Sequence, residues 1–328
     1  MSTKYPGGFI TKSPTAPTTA AAKGIWTLDQ VTNYVKQGIW PRTPGAPTIG
    51  TATQTGPSTA TVAFTAPTDL GAGTITYTAT SSPGGITATG TSPITVTGLT
   101  TGTAYTFTVT ASTPGGTGPA SAASNSVTPA LPAIGSAYGG GFFAGQIGVS
   151  GVATHNLVIG PLASAQTTDS WKNANTDTPG ANSDIDGPQN TADMVADGSS
   201  TVYPCAHFCN DLSTGGQTDW YMPAKNELEI CYYNLKPTTT SNNTSSGINP
   251  NAVPARASNY TAGDPARTSV AAFQQGGSEA FADSYYWSSR EGQFNNTTGS
   301  RQSFYTGYQN ATSKVTSQRV RAVRRVAV

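Results

Sequence analysis

The 328 residues exceed what one ordinary hydrophobic core organises and fit two compact domains plus a tail. Only 10% are Asp, Glu, Lys or Arg, and 17 basic side chains nearly balance 16 acidic ones to a net charge of +1, which argues against nucleic-acid binding through a global basic field. Three cysteines, an odd number, argue against a secreted disulfide framework, and no stretch approaches the roughly 20 apolar residues of a membrane span. The opening MSTKYPGGFITKSPT lacks the apolar core of a signal peptide, so synthesis and retention in a cytoplasm are expected. The 37 Gly and 23 Pro are interspersed with short alternating runs of Val, Ile, Tyr and Thr, a strand-and-turn signature that predicts a mainly β chain. A surface this poor in charge offers little repulsion between copies and suits a component of a larger assembly.

Residues 1–42 begin with SPTAPTTAAAKG, which cannot bury a core and is expected to be an extended arm. One short helix follows. Thr27 and Gln30 form a capping-box pattern, and Leu28, Val31, Tyr34 and Val35 recur at helical spacing until Gly38. A helix of about ten residues is marginal by itself, so this stripe and the flanking Trp26 and Trp40 need a partner surface, either another protein or the chain's own next domain.

Residues 43–130 alternate clearly in TATVAFTAP, TITYTAT, SPITVTGL and AYTFTVTAS, with turns at DLGAG, SPGG, LTTGT and TPGGTG. Leu99, Thr100, Thr101, Gly102 and Tyr105 match a tyrosine corner, in which a phenol ties a loop to the backbone upstream. This constellation resembles the fibronectin type III family and implies a β-sandwich. The departure is Phe64, which stands where the family usually has Trp. There is no Arg-Gly-Asp tripeptide, and a spacer role is expected.

After the stretch PALPAIGS, residues 137–328 become more aromatic and more charged. Strands are expected in YGGGFFAGQI and THNLVIGPL, and helices near Thr191 to Val195, Cys205 to Leu212, and in AKNELEICYYNL between Pro223 and Pro237, where Leu228, Cys231, Tyr232 and Leu235 form one stripe. The blocks DWYMPAKNELEICYYNL, YYWSSRE, QSFYTGY and QRVRAVRRV, taken in that order, resemble a domain of bacterial and phage surface proteins related in fold to C-type lectins and formylglycine-generating enzymes. The resemblance implies an α+β scaffold with two helices on a twisted antiparallel sheet and long loops on one side. Loops on a rigid scaffold carry recognition, and the stretch Pro237 to Ser284 and FNNTTGSRQSFYTGYQN are rich in Asn, Ser, Thr and Tyr. Tyr260, Tyr285, Arg290, Tyr305 and Tyr308 are therefore candidate surface-binding residues.

Other clusters favour structural roles. Cys205 and Cys209 lie on one face of a helix without a full zinc set and read as buried thiols. Asp184, Asp186 and Asp193 lack the spacing of a calcium loop and read as a turn and a helix cap. Asp219 is expected to receive backbone N–H groups near a helix start. Arg319, Arg321 and Arg325 are expected on one face of a closing strand, paired with the domain's own carboxylates. The histidines, His155 and His207, sit beside no nucleophile or paired carboxylate, so no enzyme, metal or cofactor is expected.

The opening GGFITKSPT with GIWTLDQVTNYVKQGIWP looks like that of many structural proteins of tailed phages. That resemblance implies a virion component assembled in the host cytoplasm and docked to other virion proteins through Trp26, Leu28, Val31, Tyr34, Val35 and Trp40. The expected role is a tail fibre or other exposed appendage whose C-terminal domain binds a host-surface glycan or protein. The alternative is a capsid decoration, neck or baseplate protein, favoured by the absence of the heptads or solenoid repeats of long fibres. A homo-oligomer is expected, with no nucleic acid and no membrane insertion.

Overall fold

The computed structural model describes residues 16–18, 22, 26–37, 40–293 and 295–328. The chain divides into two compact units between Leu131 and Pro132. Among the described residues no helix is long and apolar enough to cross a membrane.

In the first unit, helix α1 (Leu28–Lys36) has the expected capping box: Gln30 N–H donates to Thr27 Oγ1 at 3.3 Å, and Thr27 N–H to Gln30 Oε1 at 2.9 Å. The helix ends at Lys36; Gly38, the expected stop, lies outside the described residues. None of its residues is buried, and Leu28 is 80% exposed. Trp26, Tyr34 and Trp40 satisfy part of the apolar surface among themselves, the Trp26 ring meeting each of the other two edge-on at 5.3 Å.

The sandwich comprises β1 (Thr48–Gly56), β2 (Thr59–Thr65), β3 (Thr76–Ser82), β4 (Thr87–Thr89), β5 (Ile94–Val96), β6 (Thr106–Thr113) and β7 (Gly116–Thr117). Two antiparallel sheets form, ordered β1-β2-β5 and β4-β3-β6-β7. Period-two alternation sends Ala60, Val62 and Phe64 of one sheet and Phe107, Val109 and Ala111 of the other inward, all buried. Phe64, in the place of the usual Trp, packs on Tyr77 with ring centroids 4.8 Å apart. The Tyr105 hydroxyl accepts the Thr100 N–H at 3.1 Å, which closes the predicted corner. Tyr105→Phe leaves that N–H without an acceptor in a half-dry site, at about 1–3 kcal/mol. Faster hydrogen exchange of the β6 amides is the expected readout.

The second unit adds β8 (Ala137–Tyr138), β9 (Gly141–Val149), β10 (Val152–Ile159), α2 (Leu162–Ala165), β11 (Gln166–Asp169), α3 (Gly187–Asp197), α4 (Pro204–Asn210), α5 (Lys225–Leu235), a 3-10 turn (Ala271–Phe273), β12 (Tyr285–Glu291), β13 (Thr298–Ser303), β14 (Gln309–Ser313), β15 (Gln318–Arg321) and β16 (Val323–Ala327). Its sheets run β16-β10-β9-β8 and β11-β15-β12-β13-β14. Helix α5 is buried on nearly every side; Leu228, Cys231, Tyr232 and Leu235 pack with Ile147, Leu157, Tyr286 and Phe304 in one core cluster. A second cluster gathers Trp171, Trp220, Trp287, Tyr203, Cys205 and Cys209, and burial pushes both thiols up.

Two expectations are corrected here. The closing Arg-rich segment is two strands in two sheets, because the chain leaves β15 at Ala322 and joins β10 through β16. Arg321 and Arg325 do pair with carboxylates of their own unit, Glu279 and Glu227. Within QSFYTGY, β13 ends at Ser303, and the Gly307 N–H donates back to the Ser303 carbonyl in a turn. Asp219 caps no helix; it grips the Arg324 guanidinium by two hydrogen bonds of 2.6 and 2.8 Å, while the Glu227 carboxylate accepts the Ala224 N–H at the start of α5.

Arg324 holds the Asp219 carboxyl below its usual 3.8. A lowered folded-state pKa contributes stability above the unfolded value and loses it as pH falls through the folded one. The Asp219→Asn variant is therefore expected to show a flatter decline in melting temperature below about pH 4 than the natural chain, measured by thermal melts across acid pH.

Candidate functional site

A polar trough lies on the second unit beside the start of α5, the end of β12 and the first halves of β13 and β14. Its main depression, about 490 Å³, is lined by Lys225, Ser245, Ser246, Arg290, Arg301 and Gln309, with Gln293, Asn295 and Asn310. An adjoining depression of about 360 Å³ shares Lys225, Ser245, Ser246 and Gln309 and continues past Asp184, Ile248 and Asn259. The larger lies within the range of roughly 300–1,000 Å³ typical of small-ligand sites.

Each wall is held from beneath. The loop carrying Ser245 and Ser246 belongs to the long irregular stretch after Pro237, and a buried polar network orders it. Asn242 accepts from the Tyr232 hydroxyl at 2.6 Å and from Lys236 Nζ at 2.7 Å, and its amide donates to the Pro265 carbonyl at 2.9 Å. Asn249 donates to Glu229 at 2.6 Å and to the Asn226 carbonyl at 2.8 Å. Fully satisfied, such a network makes an irregular segment rigid. Gln309 N–H donates to Ser246 Oγ at 3.0 Å, which ties this loop to β14. On the opposite rim, Gly292 N–H to the Thr298 carbonyl at 2.8 Å closes the turn that presents Gln293 and Asn295.

Arg301 pairs with Asn310 in the β13–β14 register and donates Nε to its Oδ1 at 3.0 Å. The guanidinium lies 3.8 Å from the Tyr285 ring centroid. Burial lowers the Arg301 pKa, with the Tyr285 and Tyr308 phenols acting weakly against it. Arg290 meets Asp184 at 2.5 Å and donates Nη1 to the Glu291 carbonyl at 3.1 Å.

The predicted binding residues divide. Arg290 lines the trough and Tyr285 supports Arg301. Tyr305 and Tyr308 are 48% and 37% exposed on the turn after β13. Tyr260 is a correction: it is 4% exposed, packs against Tyr232, and donates its hydroxyl to Glu229 Oε1 at 2.7 Å. Burial drives its pKa well up. It is part of the support under the loop because Gly247, at φ +114°, brings backbone over its ring where a Cβ would clash at 2.3 Å. Lys225 and Gln309 are not singled out by the sequence, and Arg301 only as part of its string; the polar residues of SRQSFYTGYQN are the one local signal for Arg301 and Gln309, and Lys225 lies outside that string.

The remaining polar clusters have local partners. Asp186 caps α3 by accepting the Gln189 N–H at 3.2 Å, Asp193 accepts from the Gln189 amide at 2.8 Å, and no group of three potential metal ligands occurs among the described residues. His207 contacts the Gly198 carbonyl at 2.8 Å, and His155 contacts Thr154 at 3.0 Å.

Residues 45–127 match the fibronectin type III domain family, in agreement with the two-sheet topology and the Tyr105 corner. Similar solved structures include a series of titin domains (19% identity, 27% of this chain and 32% of that one, TM-score 0.25). Others are the fibronectin type III domain of human fibronectin type III domain containing protein 3 (21% identity, 27% and 89%, TM-score 0.23) and the FN5 domain of Drosophila Lar (27% identity, 26% and 97%, TM-score 0.21). The chain thus spans about a third of the titin structure's length. No curated protein matches the sequence.

Proposed function

We propose that this chain is a non-enzymatic virion protein of a tailed phage, in which the C-terminal unit binds the host cell surface, the fibronectin type III domain is a spacer, and residues 1–42 dock on other virion proteins. The C-terminal unit is read as a member of the C-type-lectin and formylglycine-generating-enzyme-like fold group, on the four sequence blocks named above. The observation that carries the binding role is the trough. It is open and lined by amides, hydroxyls and cations, and its lining includes no histidine or cysteine and a single carboxylate, Asp184, engaged with Arg290. Such a set supplies hydrogen bonds and charge to a ligand. The docking role is supported by the apolar face of α1, on which no residue is buried, with Leu28 80% exposed and Val31 and Val35 half-exposed.

Two measurements test the reading. Antibodies against the second unit are expected to label tail or baseplate appendages on intact particles, and the purified full chain is expected to compete with those particles for adsorption to host cells. Dense labelling over the head without competition would replace host binding with a shell-covering role.

A further inference from the structure

The charge balance of the trough identifies a ligand class. Lys225, Arg290 and Arg301 stand against one carboxylate, Asp184, and that carboxylate is taken by Arg290. Elsewhere in the unit, five cations meet acids, Arg256 with Glu229, Lys314 with Glu291, Arg321 with Glu279, Arg324 with Asp219 and Arg325 with Glu227, and the buried Lys236, which has no acid partner, spends its ammonium on the Thr240 and Pro265 carbonyls and on Asn242 Oδ1. Lys225 and Arg301 have no Asp or Glu within ion-pair distance among the described residues. Arg301 is also preset. Asn310 holds its Nε and Tyr285 lies against the guanidinium, while its two terminal nitrogens make no hydrogen bond among the described residues. A fixed guanidinium fork with both ends free matches the two oxygens of a carboxylate.

Resting on the host-binding reading above, the geometry points to a carboxylated oligosaccharide as the occupant, with a uronate carboxylate on Arg301 and Lys225. Hydroxyls of the same sugar meet the short polar side chains of Ser245, Ser246, Asn295 and Gln309, which offer donors and acceptors on both rims. The two joined depressions give room for more than one sugar unit. A peptide would find few apolar pockets for its side chains here.

The test uses the full chain at physiological ionic strength, with galacturonate and glucuronate trisaccharides and their methyl esters as probes in titration calorimetry. Host-cell adsorption competition is run in parallel. At least one acid trisaccharide is expected to bind, with its neutral methyl ester at least tenfold weaker. Arg301→Gln and Lys225→Gln are each expected to weaken binding about tenfold, and Arg301→Lys, which keeps charge but loses the fork, to lie between. Lys225→Gln guards against a folding defect at the Tyr285 stack, and circular dichroism checks both variants. Equal affinity for acid and ester, or unchanged affinity in both Gln variants, overturns the assignment. Dextran sulfate binding as tightly, with the same sensitivity to the variants, also overturns it by exposing simple polyanion attraction. Cell competition that persists without uronate binding sinks the uronate and leaves host binding standing; loss of both removes both.

Discussion

Glu279→Ala is expected to lower the stability of the C-terminal unit by about 3–5 kcal/mol, because it strands the buried guanidinium of Arg321. Arg321 has no exposed side-chain surface; it donates Nη2 to Glu279 Oε2 at 2.5 Å, Nη1 to the Glu279 carbonyl at 2.7 Å and Nε to the Gly160 carbonyl at 2.8 Å, between the rings of Phe273 and Phe281. Removing the carboxylate leaves the two carbonyl dipoles but no counter-charge, and the Leu162 N–H, which donates to Glu279 Oε2 at 2.7 Å, loses its acceptor as well. For a unit of this size the melting temperature should fall by on the order of 10 °C. The double variant Glu279→Ala with Arg321→Met should recover a large part of that loss, since an apolar side chain of similar length needs no counter-charge in the aromatic setting. Thermal melts of the single and double variants measure both, and a single variant as stable as the natural chain would contradict the account.

Glu227→Gln is expected to cost a similar amount, about 3–5 kcal/mol, although it is nearly isosteric. Every partner of Glu227 is a donor: Oε1 accepts from the Tyr221 hydroxyl at 2.5 Å and from Arg325 Nε at 2.7 Å, and Oε2 accepts from the Ala224 N–H at 2.8 Å. A glutamine has one acceptor oxygen, so its NH2 must face a donor whichever way the amide turns. Burial raises the Glu227 pKa, and Arg325 is the largest opposing influence. A raised folded-state pKa means that this carboxyl's contribution declines as pH rises from 4.5 through the folded value, so the deficit of the variant should narrow over that rise and is compared at pH 4.5 and at neutral pH. Urea unfolding at both, with Glu227→Asp as a variant that keeps two acceptor oxygens on a shorter stem, separates lost hydrogen bonding from lost length.

The fibronectin type III domain was legible because its determinants are local. Two-residue alternation selects the inward side chains of β2 and β6, and the corner is written within seven residues from Leu99 to Tyr105. The capping box of Thr27 and Gln30, the α5 stripe and the buried thiols are legible for the same reason: each depends on neighbours three or four residues apart.

The trough was not legible. Arg301, Lys225, Ser246 and Arg290 come from four segments, and the pattern that marks Tyr260 as a loop aromatic is the same whether its ring faces solvent or, as here, supports the loop from below. Likewise, the alternation in QRVRAVRRV could not reveal that the chain changes sheets at Ala322, a choice made by β10 and β11, more than a hundred residues earlier. By itself the sequence determined which short segments become strands and helices and which side chains face inward, since period, caps and turns act through adjacent residues. Only the tertiary structure decided which charges are paired and which are left free in the trough, because the energy of a buried ion depends on what distant parts of the chain bring within about 4 Å of it.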